Sequence, residues 1–389
     1  MIVVTGSHAD NNLQIYYYFS DLFRHGSDPY HAPAAGHIAP VYGDNPPGLF
    51  ALFAGFLSLH DSAVTLRLLF AAADAGVIAA VGLLYPRTQS FRLGFMLFYA
   101  FNPLVLLDWT ISAQDKTITF LLIVLVLAAV DLGRPRLCWI AAAVLAAIKW
   151  MTGFFILPLV TWTLRVLPRR KALTLLAGSA LFFLIANLPF FPDNLLAYER
   201  RSTRTGYDPP IFESVTRLLA AAHLYTPLIP KVLGPLLVVS IWALYETGRL
   251  RIPETIALSL FAAYVLLPDQ SSDRILLITL PLILVTRTTT ARWALFWAVS
   301  VFAAVGGYGS LVGGSDYTNR FPALPGSVLD VVGASGLHDV ITQNLLLALV
   351  LVFFLKDRLP TFAPVAAWRA RRSDRAVAAA QAAAQPAGD

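Results

Sequence analysis

The sequence has few charged residues and a single cysteine. Asp, Glu, Lys and Arg make up 13 % of the chain, against about 25 % in an average soluble domain. The one cysteine, Cys138, excludes an intramolecular disulfide and every metal site that needs several cysteines. The seven histidines show no His-x-x-x-His or Glu-x-x-His spacing, so the sequence predicts no metal site. A disulfide-stabilised domain and a zinc-finger protein are therefore excluded.

Long apolar runs take the place of the missing charge. Apolar residues make up 57 % of the 389 residues, and the mean hydropathy is +0.65. A helix of about 20 apolar residues crosses a bilayer, so we expect an all-α, polytopic transmembrane bundle of about 10–12 membrane helices. A Pro-led run at 46–59 predicts a short, partly inserted helix. The predicted spans are 64–85, 93–107, 117–130, 172–192, 229–245, 252–267, 275–286, 293–307 and 340–355, with a tight hairpin of two short helices at 137–168.

The basic residues give the expected orientation. One set of alternate loops, together with the C-terminal tail, holds 18 of the 29 Lys and Arg, so this side is predicted to be cytoplasmic. The opposite loops hold nine, along with 14 of the 19 Asp and all seven His. The net charge of +6 therefore indicates that basic residues are concentrated on one side of a membrane, and it does not indicate nucleic-acid binding. We expect a multi-pass plasma-membrane protein whose titratable chemistry lies on the outer face.

The chain is predicted to form one transmembrane domain and one tail. The domain covers 1–361, in which 1–63 is a long first outer loop with surface helices. Residues 362–389 are rich in Ala, with four Arg near their start, and are predicted to be a disordered cytoplasmic tail. The outer loop is long and polar, so we expect a further membrane helix upstream of this reading frame.

Several short motifs follow one another along the chain. They are Asp10-Asn11-Asn12, the Tyr- and Phe-rich segment 16–23, the turn 26–30, Pro46-Pro47, Asp74, Asn102-Pro103, Gln114-Asp115, Lys149, the charged loop 269–274 and Pro281. Their order resembles that of the polyprenol-phosphate-sugar-dependent glycosyltransferases of the GT-C superfamily. In particular it is similar to the bacterial α-mannosyltransferases of glycosyltransferase family 87 and to the glycosylphosphatidylinositol mannosyltransferase I group.

This resemblance implies an enzyme and a substrate class. It implies an inverting, integral membrane hexosyltransferase that moves a sugar, mannose by the same resemblance, from a polyprenyl-phosphate donor to an extracytoplasmic lipid or glycan acceptor. The donor is a co-substrate, and no other cofactor is expected. The expected partners are membrane lipids, the donor and the acceptor, without nucleic acid. The alternative is a transporter or flippase for a lipid-linked sugar, with Asp74 and Lys149 lining its pathway.

The acidic residues of the first outer loop are the candidate general bases. Asp10 is the first choice, because the resemblance places an acidic residue early in this loop; Asp44 and Asp28 are held in reserve. Each has a structural alternative. Asp10 is also a favourable N-cap for the helix that follows, and Asp28 before Pro29 is typical of a turn.

Cations on the outer side are the candidate contacts for the donor's lipid phosphate. Three Arg within five residues run against the charge bias of the chain, and Arg presents a planar fork of donors to phosphate oxygens. The alternatives are contact with lipid headgroups for the Arg patch and, for Lys149, snorkelling or pairing with a carbonyl. Asp74 and Arg67, seven apart, are expected to pair with each other. The phosphate candidates are Arg200, Arg201, Arg204, Arg274 and Lys149.

Overall fold

The described part of the protein is helical, and it contains no strand. The computed structural model describes residues 11–32, 45–111, 114–196, 223–224, 226, 228–266, 272–311 and 338–358. The helices are α1 (Asn11–Arg24), α2 (Pro47–Leu59), α3 (Ala63–Leu84), α4 (Gln89–Phe101), α5 (Pro103–Val105), α6 (Lys116–Asp131), α7 (Pro135–Ile148), α8 (Ile156–Val166), α9 (Arg169–Asn187), α10 (Leu228–Glu246), α11 (Ile252–Leu266), α12 (Ser272–Val285), α13 (Thr290–Leu311) and α14 (His338–Arg358).

Prolines and small polar caps set several helix boundaries. Pro47 occupies the first turn of α2, where its missing N–H costs nothing. The side chains of Ser62 and Thr88 accept backbone N–H groups at the starts of α3 and α4. Asn102 ends α4, and its side chain caps the single turn α5, which continues into a π-helical turn at Leu106–Ile111.

The core lies between α6, α7, α11 and α12. Twelve of the 16 residues of α6 are buried and none is exposed, and the described side chains of α12 are buried throughout, so neither helix has a polar face. An aromatic cluster joins α4 and α13 to α6 through Phe95, Tyr99, Phe120 and Trp293. The first two helices form a separate layer on α3 and α7, in which Tyr16 packs edge-on against Phe53 of α2.

Ion pairs fasten α14 to the rest of the bundle. Arg292 at the start of α13 makes two hydrogen bonds to Asp357, at 2.7 and 2.8 Å. Arg358 pairs with Glu254, a fully buried carboxylate of α11 that also accepts a hydrogen bond from Arg251. Because these contacts join residues at the ends of α11, α13 and α14, they hold three helix termini together.

The predicted spans fall on helices, and the described chain is all-α as expected. Two of the described helices, α3 and α9, are long and apolar enough to cross a membrane by length and composition, while other apolar helices are shorter. The span predicted at 93–107 is not continuous, because Pro103 cannot donate to the helix ladder and α4 ends at Phe101. The run at 137–168 is two helices joined by a 3-10 segment, Trp150–Phe155, as the hairpin interpretation predicts.

The hairpin reverses the chain direction. The indole Nε1 of Trp139, in the first turns of α7, donates to Thr163 Oγ1 near the end of α8, at 2.7 Å. At the other end, Lys149 adopts an extended conformation that stops α7, and Thr152 donates back to the carbonyl of Ala142. The start of α7 and the end of α8 therefore lie side by side.

Candidate functional site

A buried ionic cluster occupies the end of the bundle where α6 begins and α7 ends. Asp115 precedes α6, and its side chain is 1 % exposed. One carboxylate oxygen accepts Lys116 Nζ at 2.7 Å, and the other accepts Lys149 Nζ at 2.6 Å. The Tyr16 hydroxyl of α1 donates to the same carboxylate at 2.8 Å. One carboxylate thus joins α1, α6 and the tip of the hairpin; we call Asp115, Lys116, Lys149 and Tyr16 the Asp115 cluster.

Local structure explains why this carboxylate is available. Asp115 lies at the N-cap position of α6, but its side chain makes no capping hydrogen bond, so both oxygens face the lysines. A helix N-terminus carries a partial positive charge that favours a carboxylate beside it. Lys149 reaches the cluster because α7 stops at this residue and the 3-10 segment turns the chain back.

The electrostatics of the cluster keep Asp115 ionised. Burial alone would raise its pKa, but the ammonium groups of Lys116 and Lys149 outweigh burial and hold the pKa well below its usual range. Tyr16 behaves oppositely, because burial and the neighbouring Asp115 charge raise its pKa. At neutral pH, Tyr16 is therefore a donor and Asp115 an acceptor.

An apolar cavity of about 960 Å³ lies between α7, α8 and α9. Its walls include small side chains that leave the space open, namely Ala142, Ala143 and Ala146 of α7 and Ala180 of α9. Along α7 its lining runs from Trp139 to Ala146, which corresponds to about 10 Å of helix rise. Ligand sites typically have volumes of about 300–1,000 Å³, so this cavity is large enough for a substantial apolar ligand.

Trp150, Asn187 and Asn194 form the polar end of the cavity. Trp150 lines the cavity and directly follows Lys149 in the chain. Its indole Nε1 donates to Asn187 Oδ1 at 3.3 Å, and Asn194 Nδ2 donates to the Asn187 carbonyl at 2.7 Å. The cavity therefore passes from aliphatic walls to an end with indole and amide groups.

No family model, no curated protein and no solved structure matches this chain.

Two of the candidates predicted from the sequence have described side chains. Lys149 belongs to the Asp115 cluster and is 17 % exposed; it pairs with a carboxylate, an arrangement not among the expected alternatives. Asp28 lies in the turn after α1, where it precedes the short 3-10 turn Pro29–His31. Arg274 lies in α12, with a side chain outside the described set. Asp10, Asp44, Arg200, Arg201 and Arg204 lie outside the described residues.

The contacts of Asp28 match the turn interpretation. Asp28 Oδ1 accepts the backbone N–H of Tyr30 at 2.8 Å, which caps the short 3-10 turn Pro29–His31. Its Oδ2 lies 2.7 Å from His31 Nδ1. Both oxygens are thus engaged, and the role of Asp28 as a reserve base stays a prediction.

The hydrogen bonds of Asp74 come from neutral donors. The Tyr99 hydroxyl of α4 donates to Asp74 at 2.6 Å, and Thr110 of the π-helical turn donates at 3.4 Å. Arg67 is not a partner of this carboxylate, so the expected internal pair is not formed. Residues seven apart in a helix are separated by about 10 Å along its axis, and α4 packs against α3 and supplies the Tyr99 hydroxyl to Asp74 instead.

Sequence reasoning missed the centre of the cluster. Gln114-Asp115 enters the sequence argument only as a motif in an ordered series, and Lys149 only as a cation within a hydrophobic run. The predicted hairpin is the signal from which the proximity of Asp115 and Lys149 could have been inferred. A reversal at Lys149 places its ammonium at the same end of the bundle as the start of α6.

Proposed function

We propose that the protein is an integral membrane glycosyltransferase that transfers a hexose from a polyprenyl-phosphate carrier to an extracytoplasmic lipid or glycan acceptor. The proposal includes a multi-pass helical bundle, with the Asp115 cluster and the polar end of the cavity on the outer side. Mannose and the inverting outcome rest on the motif resemblance alone.

One observation supports the proposal most directly, namely an apolar cavity whose lining residue Trp150 directly follows Lys149 of the buried Asp115 cluster in the chain. A polyprenyl phosphate has the same division, with a long hydrocarbon chain and a charged head. The chain would occupy the space between α7 and α9, and the phosphate would lie near Trp150 and Lys149. Of the two span-length helices, α9 is nearly unburied, with Ala172 its one buried residue, so a lipid chain has access from the side.

The chemistry asked of the protein is limited. A carboxylate takes the proton of the acceptor hydroxyl, and cations stabilise the departing lipid phosphate. We assign the base role to Asp10 and the phosphate role to Lys149, together with Arg200, Arg201, Arg204 and Arg274. Asp115 acts on Lys149 as a positioning residue, because the 2.6 Å pair fixes its ammonium at the end of α7.

Transfer of radiolabel tests the proposal. Purified protein is incubated with polyprenyl-phosphate-[³H]mannose and membrane lipid extract, and label in a new product is measured. We expect a labelled product. Label that crosses a vesicle membrane without any new product would support the transporter alternative and contradict the enzyme.

A matched pair of variants tests the cavity. Ala180→Trp fills space in the cavity wall, whereas Ala177→Trp adds the same bulk to an exposed position of α9 outside the wall. We expect Ala180→Trp to raise the KM for a long-chain donor about tenfold or more, with Ala177→Trp unchanged. Equal KM values for the two variants would show that the cavity does not bind the donor.

A further inference from the structure

Three metal-ligating side chains converge at the turns that follow α1 and α9. His31 Nδ1 lies 2.7 Å from Asp28 Oδ2 and 3.9 Å from Asp193 Oδ2. The ligand atoms of all three residues lie within 4.8 Å of one another. Asp28 and Asp193 are part-buried, and His31 is 59 % exposed, so the set is accessible to an ion from solvent. Two carboxylate oxygens and one imidazole nitrogen thus face a common point.

The turn after α1 is held in place by buried neighbours. Tyr30, between the two ligands of this turn, is 7 % exposed, and its hydroxyl donates to the Asn45 carbonyl at 2.8 Å. Asp28 Oδ1 is taken by the Tyr30 backbone N–H, which leaves Oδ2 directed at His31. The orientation of both ligands is therefore fixed before any ion binds.

The turn after α9 is equally constrained. Phe190 takes a positive φ of 57°, a conformation that side-chain-bearing residues rarely adopt, and its ring packs against Tyr30 of the other turn. Asn194, next to Asp193, is 3 % exposed and bonds back to the Asn187 carbonyl. The Tyr30–Phe190 contact sets the distance between the two turns and hence between their ligands.

We propose that Asp28, His31 and Asp193 bind one divalent transition-metal cation, with zinc the ion that this donor set fits. Zinc takes imidazole nitrogen and carboxylate oxygen at about 2.0–2.2 Å, often with three protein ligands and a water. Ligand atoms arranged tetrahedrally at those bond lengths lie about 3.4 Å apart. The observed separations of 2.7 and 3.9 Å bracket that value, so on zinc binding the first would lengthen by about 0.7 Å and the second shorten by about 0.5 Å.

The cation would connect two segments that are distant in the sequence. It would replace the proton between His31 and Asp28 and add Asp193 from the turn after α9 as the third ligand. Phe191 and Asn194, on either side of Asp193, line the apolar cavity. A cation bound here would therefore hold in place the part of the cavity lining that Phe191 and Asn194 form. This inference does not depend on the proposed transferase activity.

Zinc binding to the full chain tests the site. The protein is purified in detergent with a tag free of histidine, stripped with EDTA, and titrated with zinc against a chromophoric chelator. The ligand variants are His31→Gln and Asp193→Asn. The control is His25→Gln, which removes an exposed histidine that lies 3.4 Å from a single carboxylate, Asp21. A second readout is the melting temperature with and without zinc, together with the gel-filtration profile of each variant without metal.

We expect one tight zinc per chain in the wild type and in His25→Gln, with a melting temperature that rises on zinc addition. Each ligand variant should bind about 100-fold more weakly or worse, since loss of an outer-shell partner alone costs about 10–100-fold. Its metal-free melting temperature should stay close to that of the wild type. A wild type that binds no zinc, or ligand variants within about threefold of it, would overturn the assignment. A loss of zinc affinity in His25→Gln as large as that in Asp193→Asn would also overturn the assignment.

Discussion

Replacement of Asp115 by Asn should destabilise the protein more than any other single change in the Asp115 cluster. The substitution keeps the shape of the side chain but removes the negative charge that Lys116 and Lys149 share. Their side chains are 6 % and 17 % exposed, so neither ammonium can recover full hydration. Removal of one partner of a buried ion pair typically costs about 3–5 kcal/mol, because a charge stays buried without its counter-ion. We expect a loss of unfolding free energy in that range.

Removal of Lys149 should cost less. In Lys149→Met, Asp115 keeps Lys116 at 2.7 Å and the Tyr16 hydroxyl at 2.8 Å, so the remaining charge is still compensated. The loss is then close to one charged hydrogen bond, about 1.5–3 kcal/mol. In the double variant the two effects should not add, since each change removes the same 2.6 Å contact.

Unfolding free energies in mixed detergent micelles at pH 7 would measure these differences. Asp61→Asn is the matched control: it makes the same chemical change in an exposed pair with Arg24, where we expect no measurable loss. A larger loss in Lys149→Met than in Asp115→Asn would refute the reasoning. A wild-type value for Asp115→Asn would do the same.

Four further outcomes are expected. Gly48→Ala should lower the unfolding free energy by about 1–3 kcal/mol, because a Cβ there meets the Ala147 carbonyl oxygen at 2.5 Å, whereas Gly55→Ala, with nothing within 4 Å, should be neutral or stabilising. The pKa of Asp115 is lowered by folding, so the stability gap between wild type and Asp115→Asn should be constant above about pH 5 and shrink below about pH 4 in acid titrations. Asp10→Asn should reduce turnover about 10²–10⁴-fold with donor binding retained, and near-normal turnover would leave Asp10 a helix cap. Joint replacement of Arg200, Arg201 and Arg204 by Gln should weaken donor binding without loss of purified yield, and unchanged binding would make the patch a headgroup contact.

The positions of the helices could be predicted because their signals are local. Apolar runs, Pro at the first turn of α2 and Ser or Thr caps before α3 and α4 each act within a few residues. The exceptions are also local in origin. Pro103 interrupts the 93–107 run, and hydropathy averages over such a break without detecting it.

The candidate site could not be predicted in the same way, because its contacts are set by tertiary packing. Asp115 and Lys149 meet only after the chain has passed through α6 and α7 and stopped at the hairpin tip. Asp193 approaches His31 only because Phe190 packs on Tyr30. A spacing rule such as His-x-x-x-His detects ligands that lie on one helix, so it cannot detect a site whose ligands come from two separate turns.

In the membrane bundle that we propose, the hairpin of α7 and α8 decides whether the number of crossings before α9 changes between odd and even. The Trp139–Thr163 hydrogen bond shows that the chain enters and leaves this segment at the same end. An excursion of that kind adds either two crossings or none, depending on how deeply its tip reaches. An even number leaves the side of every later segment unchanged. In the proposed bundle, the side of the membrane on which the ends of α9 to α14 lie is therefore independent of how deeply the hairpin tip at Lys149 reaches.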